Sequence, residues 1–479
     1  MKSTSNNDNN DSAYPNPAIA LATSRIQTAV SKVQADPTRP VYHFLAPARR
    51  MNDVNGFIFY KGYYHLFYQL NPHTHWHWGH ARSRDLVHWE HLPIALCPAE
   101  EQGEENCASG CIVINDLGQP LIFYTSMKIR EDARYFAEQW AAIGDSELIT
   151  WKRHPANPIL TEDMHGDLKI YDWRDPFIFR EGPHFYLVLG GNLNDRKGGE
   201  AVTPLYRAEN AELSQWKFLG ILFKNPDKNI PNHECPNFFS LGDKWILVVS
   251  PHDVQVKHYI GTFDKQTFTF EPESQGYLNW GSYYGTNCML DNKGRRIMWG
   301  CVHGFKENRG WASCLTPPRV LTMRPDGHLG QEPVPELQML RDEHHAVSDI
   351  TVSDSSHVVK DIRGDTLELL AKFRLGDAKI FGLRVRRSDD GRNGVRITYD
   401  GRQIDVAGVT APFRLTDSEK LLELHIFLDK SLIEVYANGR VCLTKVVYPK
   451  EEDLGLELFA MGGSMTISSL DIWKMKSIW

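Results

Sequence analysis

One local pattern recurs five times in the first two thirds of the chain: an apolar run, a turn rich in Gly or Asp, then an aromatic-rich run. The copies are NGFIFYKGYYHLFYQ, SGCIVINDLGQPLIFYTS, RDPFIFREGPHFYLVLG, CPNFFSLGDKWILVVS and YGTNCMLDNKGRRIMWG. Each copy carries a hairpin signal, and a spacing of roughly fifty to sixty-five residues leaves room for about four strands per copy. A hairpin unit repeated at that period predicts an all-β fold, a five-bladed β-propeller whose first strands line the central axis. Residues at the heads of those strands then meet in space however far apart they stand in sequence.

Three of the heads are acidic: Asp53 in RRMNDVNG, Asp175 in YDWRDPF and Glu234 in NHECPNFF. Convergence predicts a cluster of carboxyl groups in one pocket. Two carboxyls flanking the bond between a sugar and its leaving group suffice for glycoside hydrolysis, one attacking or activating water and the other protonating the departing oxygen. Asp53, short and set in Asn52-Asp53-Val54-Asn55-Gly56, is the candidate nucleophile, although the same residues alone read as an Asx-turn. Glu234, in His233-Glu234-Cys235-Pro236, is longer and can reach a leaving oxygen. Apolar surroundings are expected to raise its pKa, as an acid near neutral pH needs; alone it reads as a solvated loop residue. Asp175 follows Arg174, and such pairing keeps it ionised as an acceptor for ring hydroxyls, or else makes a structural ion pair.

The rest of the chain sets the frame. Residues 1–39 are read as a polar tail followed by a short helix, with Ile19, Leu21, Ile26, Val30 and Val33 at roughly helical spacing. The propeller is assigned 40–328 and a connector 329–345, read from the Pro- and Gly-containing stretch GHLGQEPVPELQML. Residues 346–479 change texture to short alternating segments such as TLELLAKFRL, GVRITYDG and LLELHIFLDKSLIEVYANG, which predict a β-sandwich of two antiparallel sheets. A net charge of −7 leaves no basic footprint for nucleic acid. No apolar run is long enough to span a membrane, no secretory signal is expected at the start, and eight cysteines lack any CxxC pair. Reduced thiols in the cytoplasm are the expectation.

HTHWHWGHARSRDLVHWEH raises a metal site, since alternation puts His75 and His77 on one strand face with His80 nearby. No neighbouring Cys or carboxylate completes a ligand shell, so neither metal nor organic cofactor is expected.

The three acids together carry a resemblance. RMNDVNG, Arg174-Asp175-Pro176 and Glu234-Cys235 are similar to the WMNDPNG, RDP and EC motifs of glycoside hydrolase family 32, the invertase and fructan-hydrolase family, in the same order and one per blade. FLDKSLIEVYANG extends the likeness into the C-terminal sandwich, and the closest resemblance is to intracellular sucrose or sucrose-phosphate hydrolases. It implies a retaining reaction on a terminal β-fructofuranosyl unit of sucrose or short fructo-oligosaccharides. In that scheme Asp53 is the nucleophile, Glu234 the acid and base, and Asp175 a binder of fructose hydroxyls, with the carboxyls of the reacting pair about 5 to 5.5 Å apart. The resemblance further implies sugar contacts from Asn52, Gln69 and Arg174, an aromatic wall from Trp76 or Trp78, and Ser109 at the rim. Arg50 stands where the family has Trp, Val54 where it has Pro, and Cys111 where an SGS motif has Ser. Arg50 places a charge three residues from the nucleophile and is expected to alter substrate or acceptor choice. Two other readings stay open: a fructosyltransferase using the same intermediate, and a non-catalytic carbohydrate-binding protein.

Overall fold

The computed structural model describes residues 16–129, 135–195, 199–360, 362–416 and 419–479. Five antiparallel sheets succeed one another around an axis, followed by a C-terminal layered β-domain. The innermost strands of blades one to five are Arg49–Tyr60, Asn106–Ile114, Tyr171–Glu181, Asn237–Leu241 and Tyr284–Leu290. Each pairs with the strand that follows it, as the hairpin signals predict.

The ring is closed without a covalent link. Chain returning from blade five, Trp311–Ala312, adds to blade one in parallel, with Arg49 opposite Trp311 and Arg50 opposite Ala312. Aromatic packing seals the same seam: Trp299 of blade five meets Phe44, Phe57 and Trp89 edge-on at 6.3, 5.9 and 5.6 Å. Such pairs contribute about 0.5–1.5 kcal/mol each beyond their buried area. The helix predicted ahead of blade one spans Pro17–Gln34, capped by Asn16, whose Oδ1 accepts from the Ala18 N–H. It buries Ala22, Ile26 and Val33 against the ring, whereas Leu21 is 54% exposed and belongs to the other face. Residues 1–15 of the expected tail lie outside the described residues.

The stretch read as a connector is structured throughout. Leu329–Pro333 is the outer strand of blade five, Pro335–Leu340 a 3-10 turn, and Arg341–Val359 the first strand of the C-terminal domain. That domain has two packed layers around its own core, yet they are not separate sheets. Arg341–Val359 pairs along the length of Gly455–Met475. Gly455–Met475 in turn pairs with Thr366–Arg374 over one half and with Ile380–Arg387 over the other. The corner falls at Gly462 and Gly463, both at positive φ, so one hydrogen-bonded ladder folds over on itself.

The two domains are joined by a buried charge network. Asp429, in the turn of the LDKS segment, accepts the backbone N–H groups of Val41, Tyr42 and His43 and the ring Nδ1 of His43 at 2.8–3.0 Å. Glu434 lies 3.6 Å from His43 Nε2 and 3.0 Å from Arg319 of blade five. Burial alone would lower the His43 pKa, but Asp429 and Glu434 outweigh it and hold it at about 9. A group raised from 6.5 to about 9 on folding contributes stability that is complete below pH 6.5 and lost as pH climbs through 9, here roughly 3 kcal/mol. Wild type is therefore expected to lose thermal stability between pH 6.5 and 9.5. His43→Gln should melt lower at pH 6.5, with the gap closing toward pH 9.5. A gap constant across that window would remove His43 from the alkaline response.

Candidate active site

The acids meet because four of the five innermost strands are interrupted at their heads, and Glu234 lies in the loop just ahead of the fourth. Pairing registers slip between Met51 and Gly56 in blade one, at Cys107–Gly110 in blade two, opposite Val188–Gly190 in blade three, and between Tyr284 and Asn287 in blade five. A bulge of this kind releases a side chain from strict alternation and re-aims it. Asp175 (φ 64°) and Cys235 (φ 45°) go further and occupy the left-handed region, an unfavourable conformation for non-glycine residues. Asp53, Ser109, Asp175, Glu234 and Tyr284 are brought by this means to one end of the axis.

Asp53 is 8% exposed. Its Oδ2 accepts from Ser109 Oγ at 2.8 Å, and Ser109 Oγ in turn accepts from Gln69 Nε2 at 2.9 Å. Asn55, with its amide turned to satisfy its neighbours, donates to the same Oγ at 3.1 Å. Cys235 Sγ stands between two acids, 3.7 Å from Asp53 Oδ2 and 3.6 Å from Asp175 Oδ2. Asp175 also takes the Cys235 backbone N–H at 3.0 Å. Arg174 reaches across from blade three and gives Glu234 Oε1 two hydrogen bonds, one from Nε at 3.0 Å and one from Nη2, while its Nη1 pairs with Asp172 at 3.0 Å. Glu234 Oε2 meets the Tyr284 hydroxyl and His252 Nε2, the latter at 3.0 Å.

The charges are coupled. Burial, then the neighbouring Glu234 and Asp175, push the Asp53 carboxyl up to about 7, with Ser109 and Arg174 opposing. Asp175 is raised to about 6, by burial first and then by Glu234, against the pull of Arg174. Burial also pushes Glu234 up, but the Arg174 guanidinium beside it draws it below the ordinary carboxylate range. The expectation that apolar surroundings raise Glu234 is thus corrected: its neighbours are polar, and the Arg174 charge outweighs burial. Three buried carboxyls against one guanidinium retain a proton between them near neutrality.

Asp53 and Glu234 open into a cavity of about 610 Å3 with Asn52, His252, Tyr284 and His303 on its walls. Asn52 and His303 also belong to a second cavity of about 530 Å3, so the two form one groove. Arg50 is exposed on that outer cavity with Asn71 and Trp311. Asn52 donates to Gln69 Oε1 at 3.3 Å, which ties it to the Ser109 chain. Trp78 differs from expectation: it is fully buried, donates Nε1 to the Ala108 carbonyl, and packs on Phe67 and Tyr124. It is core and gives no wall to a ligand. Trp76 is half-buried and is absent from the walls of both cavities. Ser109, expected at the rim, is 2% exposed and lies beneath Asp53. Val54 and Cys111 are both buried.

The three histidines of the metal reading do not converge. His80 bonds His65 at 3.0 Å and stacks on Phe67, whereas His77 turns its Nδ1 to the His75 carbonyl. Among the described residues no three His, Cys, Asp or Glu side chains are grouped to hold a metal ion. Tyr284 and His252 were not read from the sequence. Tyr284 heads the fifth repeat, so it occupies the same structural position as the acids.

Residues 43–333 match the Glycosyl hydrolases family 32 N-terminal domain and residues 336–474 the Glycosyl hydrolases family 32 C terminal domain. The chain belongs to glycoside hydrolase family 32. Similar curated proteins include a sucrose-6-phosphate hydrolase of Zymomonas mobilis, 30% identical over 91% of this chain and 92% of its own. A levanase of Bacillus subtilis is 29% identical over 92% of this chain and 71% of its own. Among solved structures, fructan 1-exohydrolase IIa of Cichorium intybus superposes with a TM-score of 0.83 at 24% identity, covering 92% of this chain and 98% of that one. That likeness shares the propeller and layered β-domain.

One glycine sets the room around Asp53. A Cβ on Gly285, where φ is 55°, would stand 2.2 Å from Asp53 Oδ1 and 3.1 Å from Asp53 Cα. Gly285→Ala is therefore expected to displace Asp53 and lower turnover by at least about 100-fold while circular dichroism stays native. Gly62→Ala, also at positive φ but with open space around it, is the control for backbone strain and should stay near wild type. Equal activity in the two variants would show that Asp53 tolerates displacement.

Proposed function

We propose that the protein is a retaining β-fructofuranosidase that removes terminal fructosyl units from sucrose or short fructo-oligosaccharides. The observation that carries this reading is the pair Asp53 and Glu234 opening into one cavity, with Asp175 held beside both by Cys235. Asp53 attacks the anomeric carbon and Glu234 protonates the leaving sugar. Glu234 then takes a proton from water as the fructosyl ester is hydrolysed. Asp175, fixed by the Cys235 N–H and its own N–H to Thr125 Oγ1, accepts hydroxyls of the fructosyl ring. Asn52 lines the approach, Gln69 holds Asn52 and Ser109 from behind, and Arg174 positions Glu234. Eight buried, unpaired cysteines suit a reducing cytoplasm, and no helix among the described residues is long and apolar enough to cross a membrane.

Asp53→Ala and Glu234→Ala are each expected to lower fructose release from sucrose by several orders of magnitude with the fold intact. Glu234→Gln, given an activated fructoside whose leaving group needs no proton, should accumulate one fructosyl unit on the peptide containing Asp53. A label on another residue, or product first released with inverted anomeric configuration, contradicts the retaining scheme.

Arg50 supports a narrower reading of the outer groove. It is exposed on the cavity into which a leaving sugar extends from Asp53, and its charge suits an acidic leaving sugar such as the phosphorylated substrate for which the Zymomonas relative is named. Arg50→Trp is expected to shift relative kcat/KM among sucrose, sucrose phosphate and an inulin-type trisaccharide by an amount worth about 1 to 3 kcal/mol. Identical ratios in wild type and variant would leave Arg50 without a part in substrate choice.

A further inference from the structure

Glu234 must hold a proton before it can release a leaving sugar, and the hydrogen-bond directions around it determine where that proton resides. Oε1 is occupied by Arg174, which gives it two donors. Oε2 has two neighbours. Tyr284 donates its hydroxyl to Oε2 and lies 2.8 Å from the Ser250 carbonyl as well. His252 Nε2 lies 3.2 Å from Arg174 Nη2, which can only donate, so the ring turns a lone pair to that side and meets Oε2 at 3.0 Å. A bare Oε2 would face that lone pair. One proton on Oε2, given to His252, relieves the contact.

The other end of the site is arranged in the opposite sense. Ser109 Oγ receives donors from Gln69 and Asn55, which leaves its own proton for Asp53 Oδ2. Asp53 is thereby kept bare for attack. Charge and burial alone would place the shared proton on Asp53; directional bonding moves it to Glu234.

We infer that His252 is a positioning residue that keeps the acid's proton on Glu234 Oε2 in the free enzyme. The inference rests on the roles proposed above for Asp53 and Glu234. His252 is suited to it: its backbone N–H is held by Asn232 Oδ1 at 3.1 Å, and its ring is partly open to the reaction cavity. The charged and titratable groups around it are Arg174 from blade three, Glu234 from the loop before blade four, Tyr284 and His303 from blade five, and its neighbour Asp253. Beyond these stand Asp53, Asp175 and Asp172, all facing Arg174 or Glu234.

The test is the alkaline limb of kcat/KM on sucrose, where Glu234 loses its proton. His252→Leu removes the acceptor, so the limb should move to lower pH by about one unit, a tenfold loss of proton affinity. His252→Gln can face Arg174 with its amide oxygen and still accept from Glu234, so its limb should stay near wild type. On an activated fructoside that needs no acid, the two variants should form the fructosyl ester at rates within about threefold of each other. Infrared difference spectra of the free enzyme supply a readout on the unaltered chain. A protonated-carboxyl band present in wild type should vanish in Glu234→Gln and persist in Asp53→Asn. An unmoved limb in His252→Leu, a limb moved to higher pH, or a band lost only in Asp53→Asn each overturns the inference. A Glu234→Ala variant that still turns over sucrose would instead overturn the reading of the site itself.

Discussion

A single buried guanidinium allows three carboxyl groups to be buried around it. Arg174 contacts Glu234, Asp175 and Asp172 from a position 6% exposed, and without it the site would concentrate negative charge away from water at a cost of several kcal/mol per ion. The pairing does not remove that cost. It leaves a cluster that holds a proton near neutrality, with Asp53 and Asp175 both shifted upward. For a glycoside hydrolase this is the useful outcome, because the reaction needs one acid bare and another loaded at the same pH.

Geometry and electrostatics here have a common origin in the interrupted strand heads. Regular strands would send alternate side chains into the blade cores on either side. Register slips in blades one, two, three and five, and left-handed residues at Asp175 and Cys235, point polar groups along the axis instead. The surrounding aromatic packing holds these conformations in place. Phe179 and Phe238 bridge blades three and four edge-on at 5.3 Å, near the strands that present Asp175 and Glu234.

The blade count and the three acids were legible in the sequence because hairpin alternation repeats at a fixed period and strand heads must converge. The layered C-terminal domain was legible for the same reason, though the sharing of Gly455–Met475 by both layers was not, since a strand that bends at two glycines reads as two strands. Side-chain direction at a bulge also escapes a two-residue period. Trp78 and Ser109 were therefore placed too near the surface, when one packs in the core and the other supports the nucleophile. Tyr284 could have been found, for the convergence argument applies to all five heads. His252 could not, because it follows the second strand of blade four in a loop with no local pattern, and its role depends on what Arg174 can donate.

The strand that carries Asp53 is also the strand on which the ring closes, Arg50 lying against Ala312 and Asp53 three residues further on. The wall at Asp53 Oδ1 comes from Gly285, in the last blade. During synthesis all three acids have left the ribosome long before blade five does, yet Asp53 has no finished wall and Arg49–Arg50 lacks its parallel partner until the chain passes residue 312. Competence thus arrives in one step with completion of the circle, and a truncated chain carrying every acid remains chemically silent.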